Sequence, residues 1–214
     1  MQNKIKKLFF VVAIIFIAGC SSPNEEEYNK PAIYWYNKMI KQIASYRLDE
    51  ADDTYTSLES EHRKSPLVQS AMMIIANAHM KDEEYIMANF YFDEYINRYS
   101  HSKNIDYIRY LKIKSNFLAF QNQYRDQELL DKTLKATDKF IQEYPSSTYI
   151  YLVKTIKSRL LMTQALFNKE IANLYGRIDK PKAQKFYTDK TKQTWKDIKS
   201  IKDIDVPWYR YIFE

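Results

Sequence analysis

Residues 66–100 read PLVQSAMMIIANAHMKDEEYIMANFYFDEYINRYS. After Ser65-Pro66, Met72, Ile75, Ala76 and His79 recur at three- and four-residue spacing, the signature of one helical face. A polar break, Lys81–Glu84, follows, and then Ala88, Phe92 and Tyr95 repeat the pattern on a second helix. The small residues Ala76 and Ala88 allow the two helices to approach closely, while the large ones fill the space toward the next unit. The stretch therefore predicts a helical hairpin built to stack.

Working outward, the same arrangement recurs. Upstream, Tyr36, Met39, Ile40 and Ile43 form one stripe, and after Tyr46-Arg47-Leu48-Asp49 a partner helix presents Ala51, Tyr55 and Leu58. The pair Ala51/Tyr55 reappears as Ala88/Phe92, 37 residues later. Asp93–Ser100 (DEYINRYS) reappears as Asp138–Pro145 (DKFIQEYP) at an offset of 45, the added length fitting an expanded turn at Gln121–Glu128. These offsets and residue sizes resemble the tetratricopeptide repeat, of ~34 residues. The fold class expected is all-α, a tetratricopeptide-like helix-hairpin solenoid of about five helix pairs. The middle helix, Asn104–Phe120, is apolar on two faces, Ile108/Leu111/Leu118 and Tyr110/Ile113/Phe117/Phe120, as the centre of a stack requires. Tyr149–Leu166 and Lys169–Tyr175 read as helices with Gly176 as their stop, and Pro181 opens a helix toward Trp195. The tail Ile204–Glu214 (IDVPWYRYIFE) is aromatic-rich, suited to capping the array or meeting a partner. This divides the chain into N-terminal repeats, 32–103, and C-terminal repeats with the tail, 104–214.

Composition excludes several function classes. Of 214 residues only two are Gly and one is Cys. Glycine-rich phosphate loops and tight hairpins draw on glycine, so a nucleotide-binding loop and an all-β fold are disfavoured. One cysteine forms neither an internal disulfide nor a multi-Cys zinc site. His79-Met80-Lys81-Asp82-Glu83 lacks the two-His spacing of a zinc protease, and His79 sits on a packing position, so it reads as a core histidine. His62 and His101 fall near predicted turns and read as solvated. The acids at Asp49–Asp53 and Asp82–Glu84 suit helix N-termini. No Gly-x-Ser-x-Gly and no free Cys beside a His occurs, so neither catalytic chemistry, a metal nor a bound cofactor is expected.

The first segment has the layout of a secretory signal: Lys4, Lys6 and Lys7, then the apolar run Leu8–Ile17, too short to span a bilayer. Ile17-Ala18-Gly19-Cys20-Ser21 resembles the bacterial lipobox. That resemblance implies a signal cleaved after residue 19 and a covalent N-acyl and S-diacylglycerol lipid on Cys20. Ser21 at the next position is similar to lipoproteins sorted to the outer membrane, and Ser21–Pro31 (SSPNEEEYNKP) reads as a tether, giving a tethered segment 20–31. Loss of three lysines and no acid lowers the formal net charge from +6 to +3, which gives no support for nucleic-acid binding. Residues 20–150 hold 16 basic and 20 acidic residues, against 14 and 7 in 151–214, consistent with two surfaces for different partners or with one solvated basic face.

Three local stretches carry a family resemblance. Asn104-Ile105-Asp106-Tyr107-Ile108-Arg109-Tyr110-Leu111, Arg125-Asp126-Gln127-Glu128 and Tyr144-Pro145-Ser146-Ser147-x-Tyr149 are similar to segments of the BamD (ComL/YfiO) family, outer-membrane lipoproteins of the β-barrel assembly machinery. The likeness runs to about residue 187, beyond which the family's last repeat looks shortened. It implies a non-catalytic role on the periplasmic face of the outer membrane, attached through the lipid anchor. It also implies partners: BamA and other assembly-machinery lipoproteins at the C-terminal repeats, and the C-terminal β-signals of unfolded outer-membrane β-barrel proteins at the N-terminal ones. A repeat groove suits an extended peptide. Tyr34, Asn37 and Lys41 on the first helix, with Ser70, Met73 and Asn77 on the third, would point into it. The basic helix with Lys182, Lys185 and Lys192 is the candidate for BamA docking. Another repeat lipoprotein adaptor, a pilotin for secretin assembly or a scaffold for cell-wall hydrolases, is the competing reading, disfavoured by the Asn104–Leu111 match.

Overall fold

The computed structural model describes residues 27–122 and 126–196. The expected signal, Cys20 and most of its tether lie outside the described residues, as does the aromatic tail. Within the described residues there are eight helices and no strand: α1 Ala32–Ala44, α2 Leu48–Glu61, α3 Pro66–Lys81, α4 Tyr85–Arg98, α5 Ile105–Asn122, α6 Gln127–Glu143, α7 Ile150–Arg177 and α8 Pro181–Thr194. Consecutive helices pack as antiparallel pairs, and each pair packs on the next. The all-α hairpin stack expected from the 37-residue period is what the chain builds.

The turns repeat as faithfully as the helices. Each described turn inside a hairpin closes on a left-handed residue: Tyr46 (φ 58°), Glu83 (φ 64°) and Asp179 (φ 53°). The following amide then bonds back five residues: Arg47 to Gln42, Glu84 to His79 and Lys180 to Tyr175, at 2.9–3.0 Å. This is the 6→1 bond of a Schellman closure, which ordinarily favours glycine. Here ordinary residues bear the left-handed strain, about 1 kcal/mol each. Turns between hairpins use serine instead. The amides of Ser65, Ser102 and Ser147 bond to the carbonyls of His62, Tyr99 and Tyr144, and each serine carbonyl accepts from the amide three residues on. Ser65 and Ser102 are 37 apart and Ser147 a further 45, the same two offsets read from the helices.

Gly176 corrects one expectation. It lies inside α7 with an ordinary helical φ, and the helix runs unbroken from Ile150 to Arg177, joining the two segments read as separate. The left-handed stop is Asp179, three residues on. Gly176 instead sits where α8 crosses closely: a Cβ there would lie 2.7 Å from the Gln184 side-chain nitrogen.

The core positions follow the periodicity. Met72, Ile75, Ala76, His79, Ala88, Phe92, Tyr95, Ala51, Tyr55 and Leu58 are all buried. Fully burying one large apolar side chain contributes roughly 1.5–3 kcal/mol, so these stripes hold the stack together. On α1 the pattern shifts: Trp35, Met39 and Gln42 are buried, whereas Tyr36, Ile40 and Ile43 are half-buried. Helix α1 packs mainly on α2 and α3, so its stripe turns toward that corner. Trp35 Nε1 donates to Glu61 Oε2 at 2.8 Å. Helix α5 carries two cores. Ile105, Ile108 and Leu111 join the one beneath α1–α4, and Ile113 and Phe120 join the one beneath α6 and α7. Leu118 is half-buried.

Candidate functional site

The residues expected to line a peptide groove fall on two helices that touch, α1 and α3. Tyr34, Asn37 and Lys41 share one face of α1 by their i, i+3, i+7 spacing, and Ser70, Met73 and Asn77 share the equivalent face of α3. Tyr34 is 38 % exposed, and Asn37, Lys41 and Ser70 are exposed. The other two are less available. Met73 packs partly against the core, and Asn77 Nδ2 donates to its own helix at the Met73 carbonyl, 2.7 Å away. Four of the six thus face solvent as a polar and aromatic strip. Trp35 sets the strip's edge, its ring 5.4 Å from Tyr34 and nearly perpendicular to it.

Lys182, Lys185 and Lys192 are exposed along α8. This helix packs on α7, and Thr191 is its buried residue. Beside the lysines, Phe186 is 61 % exposed, and Leu174 and Ile178 at the same hairpin tip are also exposed. Cations interleaved with uncovered apolar side chains form a surface suited to a macromolecular contact.

His79 is a core residue, 1 % exposed, and both its ring nitrogens face carboxylates. Nδ1 lies 2.6 Å from Glu84 Oε2, and Nε2 lies 2.9 Å from Asp52 Oδ1. Carboxylates only accept, so both nitrogens donate and the ring is an imidazolium. Burial alone pulls its pKa down, but the hydrogen bonds and charges of Asp52 and Glu84 outweigh this and raise it. Tyr91 Oη donates to the same Asp52 oxygen at 2.6 Å, and its ring stacks on the imidazole with centroids 5.7 Å apart. The acids do lie at helix N-termini, Asp49 and Glu50 in the first turn of α2 and Glu84 just before α4, but Asp52 and Glu84 also hold the histidine. Glu84 occupies the cap position of α4 without a capping bond, and its carboxylate goes to His79. With both nitrogens held in the interior, this imidazolium joins α2, α3 and α4 and presents no free base to a substrate. Among the described residues, no group of three or more His, Cys, Asp or Glu side chains is placed to hold a metal ion. No helix among them is long and apolar enough to cross a membrane.

Of the three stretches that carry the family resemblance, two meet as a joint and the third caps a helix. Asp106 accepts from the Tyr107 amide at 2.8 Å and from Ser147 Oγ at 2.7 Å, tying the start of α5 to the turn before α7. Tyr149 stacks on Tyr110, 5.1 Å away and 9° from parallel, and Tyr107 lies 5.1 Å from the same ring. Asp126 caps α6 by accepting from the Leu129 amide at 2.8 Å. Two stretches about 40 residues apart in sequence thus meet as one contact, which periodicity does not reveal.

Residues 28–195 match the family model described as YfiO, outer membrane lipoprotein. The chain is 40 % identical over 210 residues to the outer membrane protein assembly factor BamD of Helicobacter pylori, covering 97 % of this chain and 96 % of that protein. It is 25 % identical over 147 residues to the BamD of Caulobacter vibrioides, covering 65 % of this chain and 47 % of that one. Assembly factors of this kind are not catalysts, and this protein is not an enzyme. A helical stack matched over nearly its whole described length, with the joint residues in place, belongs to the YfiO family of outer membrane lipoproteins.

Proposed function

We propose that this protein is the BamD of its outer-membrane β-barrel assembly machinery, a scaffold that docks BamA and receives the C-terminal β-signals of unfolded barrel proteins. The observation that carries the reading is 40 % identity to the Helicobacter pylori assembly factor across essentially both chains. Two surfaces support the division of labour. The strip of Tyr34, Asn37, Lys41 and Ser70 on α1 and α3 offers aromatic and polar contact to an extended peptide, with Met73 and Asn77 at its inner edge. The lysines of α8, with exposed Phe186 between them, offer an electropositive and apolar patch to BamA or to a companion lipoprotein. Lipid on Cys20 would hold the assembly at the periplasmic face of the outer membrane, because stable anchoring needs more than one acyl chain.

Photo-crosslinking from Tyr34 and from Lys185 in cells tests both surfaces. Nascent barrel proteins are expected at the first position and BamA at the second. Capture of neither, or recovery of a secretin in place of BamA from the native complex, would overturn the assignment. Cys20→Ser should release the protein from the membrane fraction.

A further inference from the structure

The two offsets, 37 and 45, align the groove between the first and second hairpins with the groove between the second and third. In the first groove the floor on α3 is Met72, Ile75, Ala76 and His79, all buried, and Tyr91 of α4 fills the space above them. Tyr91 meets His79 face on and Tyr55 edge on, with centroids 5.7 and 5.3 Å away. In the second groove the same four floor positions on α5 are Arg109, Lys112, Ile113 and Asn116, and the position of Tyr91 is Ala136 of α6. The register is the same in space. Asn89 Nδ2 donates to Asn116 Oδ1 at 2.9 Å, where the first groove has Asp52 and His79, and both pairs are 27 residues apart. The missing ring leaves a cleft of about 140 Å³, close to the ~150 Å³ known to accommodate one benzene.

The cleft's chemistry is unbalanced by one charge. Lys112 pairs with Asp93, and Lys139 lies 3.7 Å from Glu143. Among the described residues Arg109 has no carboxylate partner and no hydrogen bond: its guanidinium lies over the Tyr144 ring, 5.9 Å from the centroid, and its Nε is buried without an acceptor. A buried donor left unpaired costs about 1–3 kcal/mol. Ile96, Ile113, Ala136 and Phe140 supply the apolar wall.

We propose that this cleft is a docking site for an extended segment of a partner polypeptide, which inserts an aromatic side chain where Tyr91 inserts in the first groove and presents an adjacent acidic side chain to Arg109. The helical walls offer no free backbone groups, so the segment's backbone stays outside in water and side chains alone enter. That favours an acidic side chain within a chain over a chain-terminal carboxylate. The site is built from α4, α5 and α6, separate from the strip on α1 and α3, and it stands whether or not that strip receives barrel proteins.

Nuclear magnetic resonance titration of the full chain with an end-blocked peptide containing a phenylalanine–glutamate step tests the proposal. Saturable shifts are expected at Ile113 and Ala136. Affinity should fall at least tenfold when the peptide's glutamate becomes glutamine or its phenylalanine alanine. Ala136→Tyr fills the cleft with the side chain that closes the first groove and should abolish binding while the fold is kept. Arg109→Gln should remove the preference for glutamate over glutamine and leave the helical content unchanged. The proposal is overturned by absence of saturable shifts at millimolar peptide, by binding that survives both variants, or by binding confined to a peptide whose only carboxylate is its free C-terminus.

Discussion

The grooves on either side of the second hairpin share a backbone and differ in what fills them. In the first, Asp52, His79, Glu84 and Tyr91 close the interior with hydrogen bonds and a stacked ring. Above them, Arg98 pairs with Glu59 and Glu94. In the second, the equivalents of Glu59 and Arg98 are Ile96 and Glu143, so the bridge from Arg98 to Glu59 has no counterpart, and Ala136 leaves the centre open. Helix pairing and turn closure set the repeat. A few side chains then decide whether the space between repeats becomes core or cleft.

The largest effect expected from breaking this contrast is at Tyr91. Tyr91→Ala should open the first groove, cost about 3–5 kcal/mol through lost ring packing and leave Asp52 short of a donor. Urea denaturation measures it, and a cost below about 1 kcal/mol would mean that the ring does not close the groove. Next comes His79→Leu, which leaves two carboxylates facing an apolar side chain and should cost about 2–4 kcal/mol near pH 6. Its pKa is raised in the folded state, so the stabilisation is complete below the ordinary histidine value of about 6.5. It fades as pH rises through the folded-state value. The loss on substitution should therefore be smaller at pH 9 than at pH 6; equal losses would place a neutral ring at this position. Arg98→Ala removes the rim bridges to Glu59 and Glu94, whose side chains are partly exposed, and should cost about 1 kcal/mol or less, shrinking in high salt. The smallest effect belongs to Ala136→Tyr. With room for a ring in the second groove, stability should change by less than about 1 kcal/mol, whereas a filled groove would register overpacking of about 1–3 kcal/mol in the melt.

Much of this architecture was legible in the residues. Apolar spacing located the helices of the first two hairpins and all seven core positions named in α3 and α4, because a helix face is set by neighbours three and four residues away. The two faces of α5 were likewise visible, and the structure separates them into two cores. The stop at Gly176 was misplaced because scarcity of glycine does not abolish left-handed turns: Tyr46, Glu83 and Asp179 supply them where the Schellman bond compensates. Met73 and Asn77 share a helical face with Ser70, but a face does not report which members lean onto the core or bond their own helix. The cleft had a sequence signal, cations at Arg109 and Lys112 where the preceding repeat has Met72 and Ile75, and it emerges only when both offsets are applied together.

By itself, the sequence determined the helical period, the pairing of helices, the histidine as a core residue and the family, since each rests on local spacing or on residue identity along the chain. Tertiary structure decided which carboxylates hold His79, how the Asp106 and Ser147 stretches join, and that one groove is closed while the next is open. Those outcomes depend on side chains distant in sequence meeting, Asp52 with His79 across 27 residues and Asp106 with Ser147 across 41. Whether they touch is set by the superposition of the hairpins, which no single helix encodes.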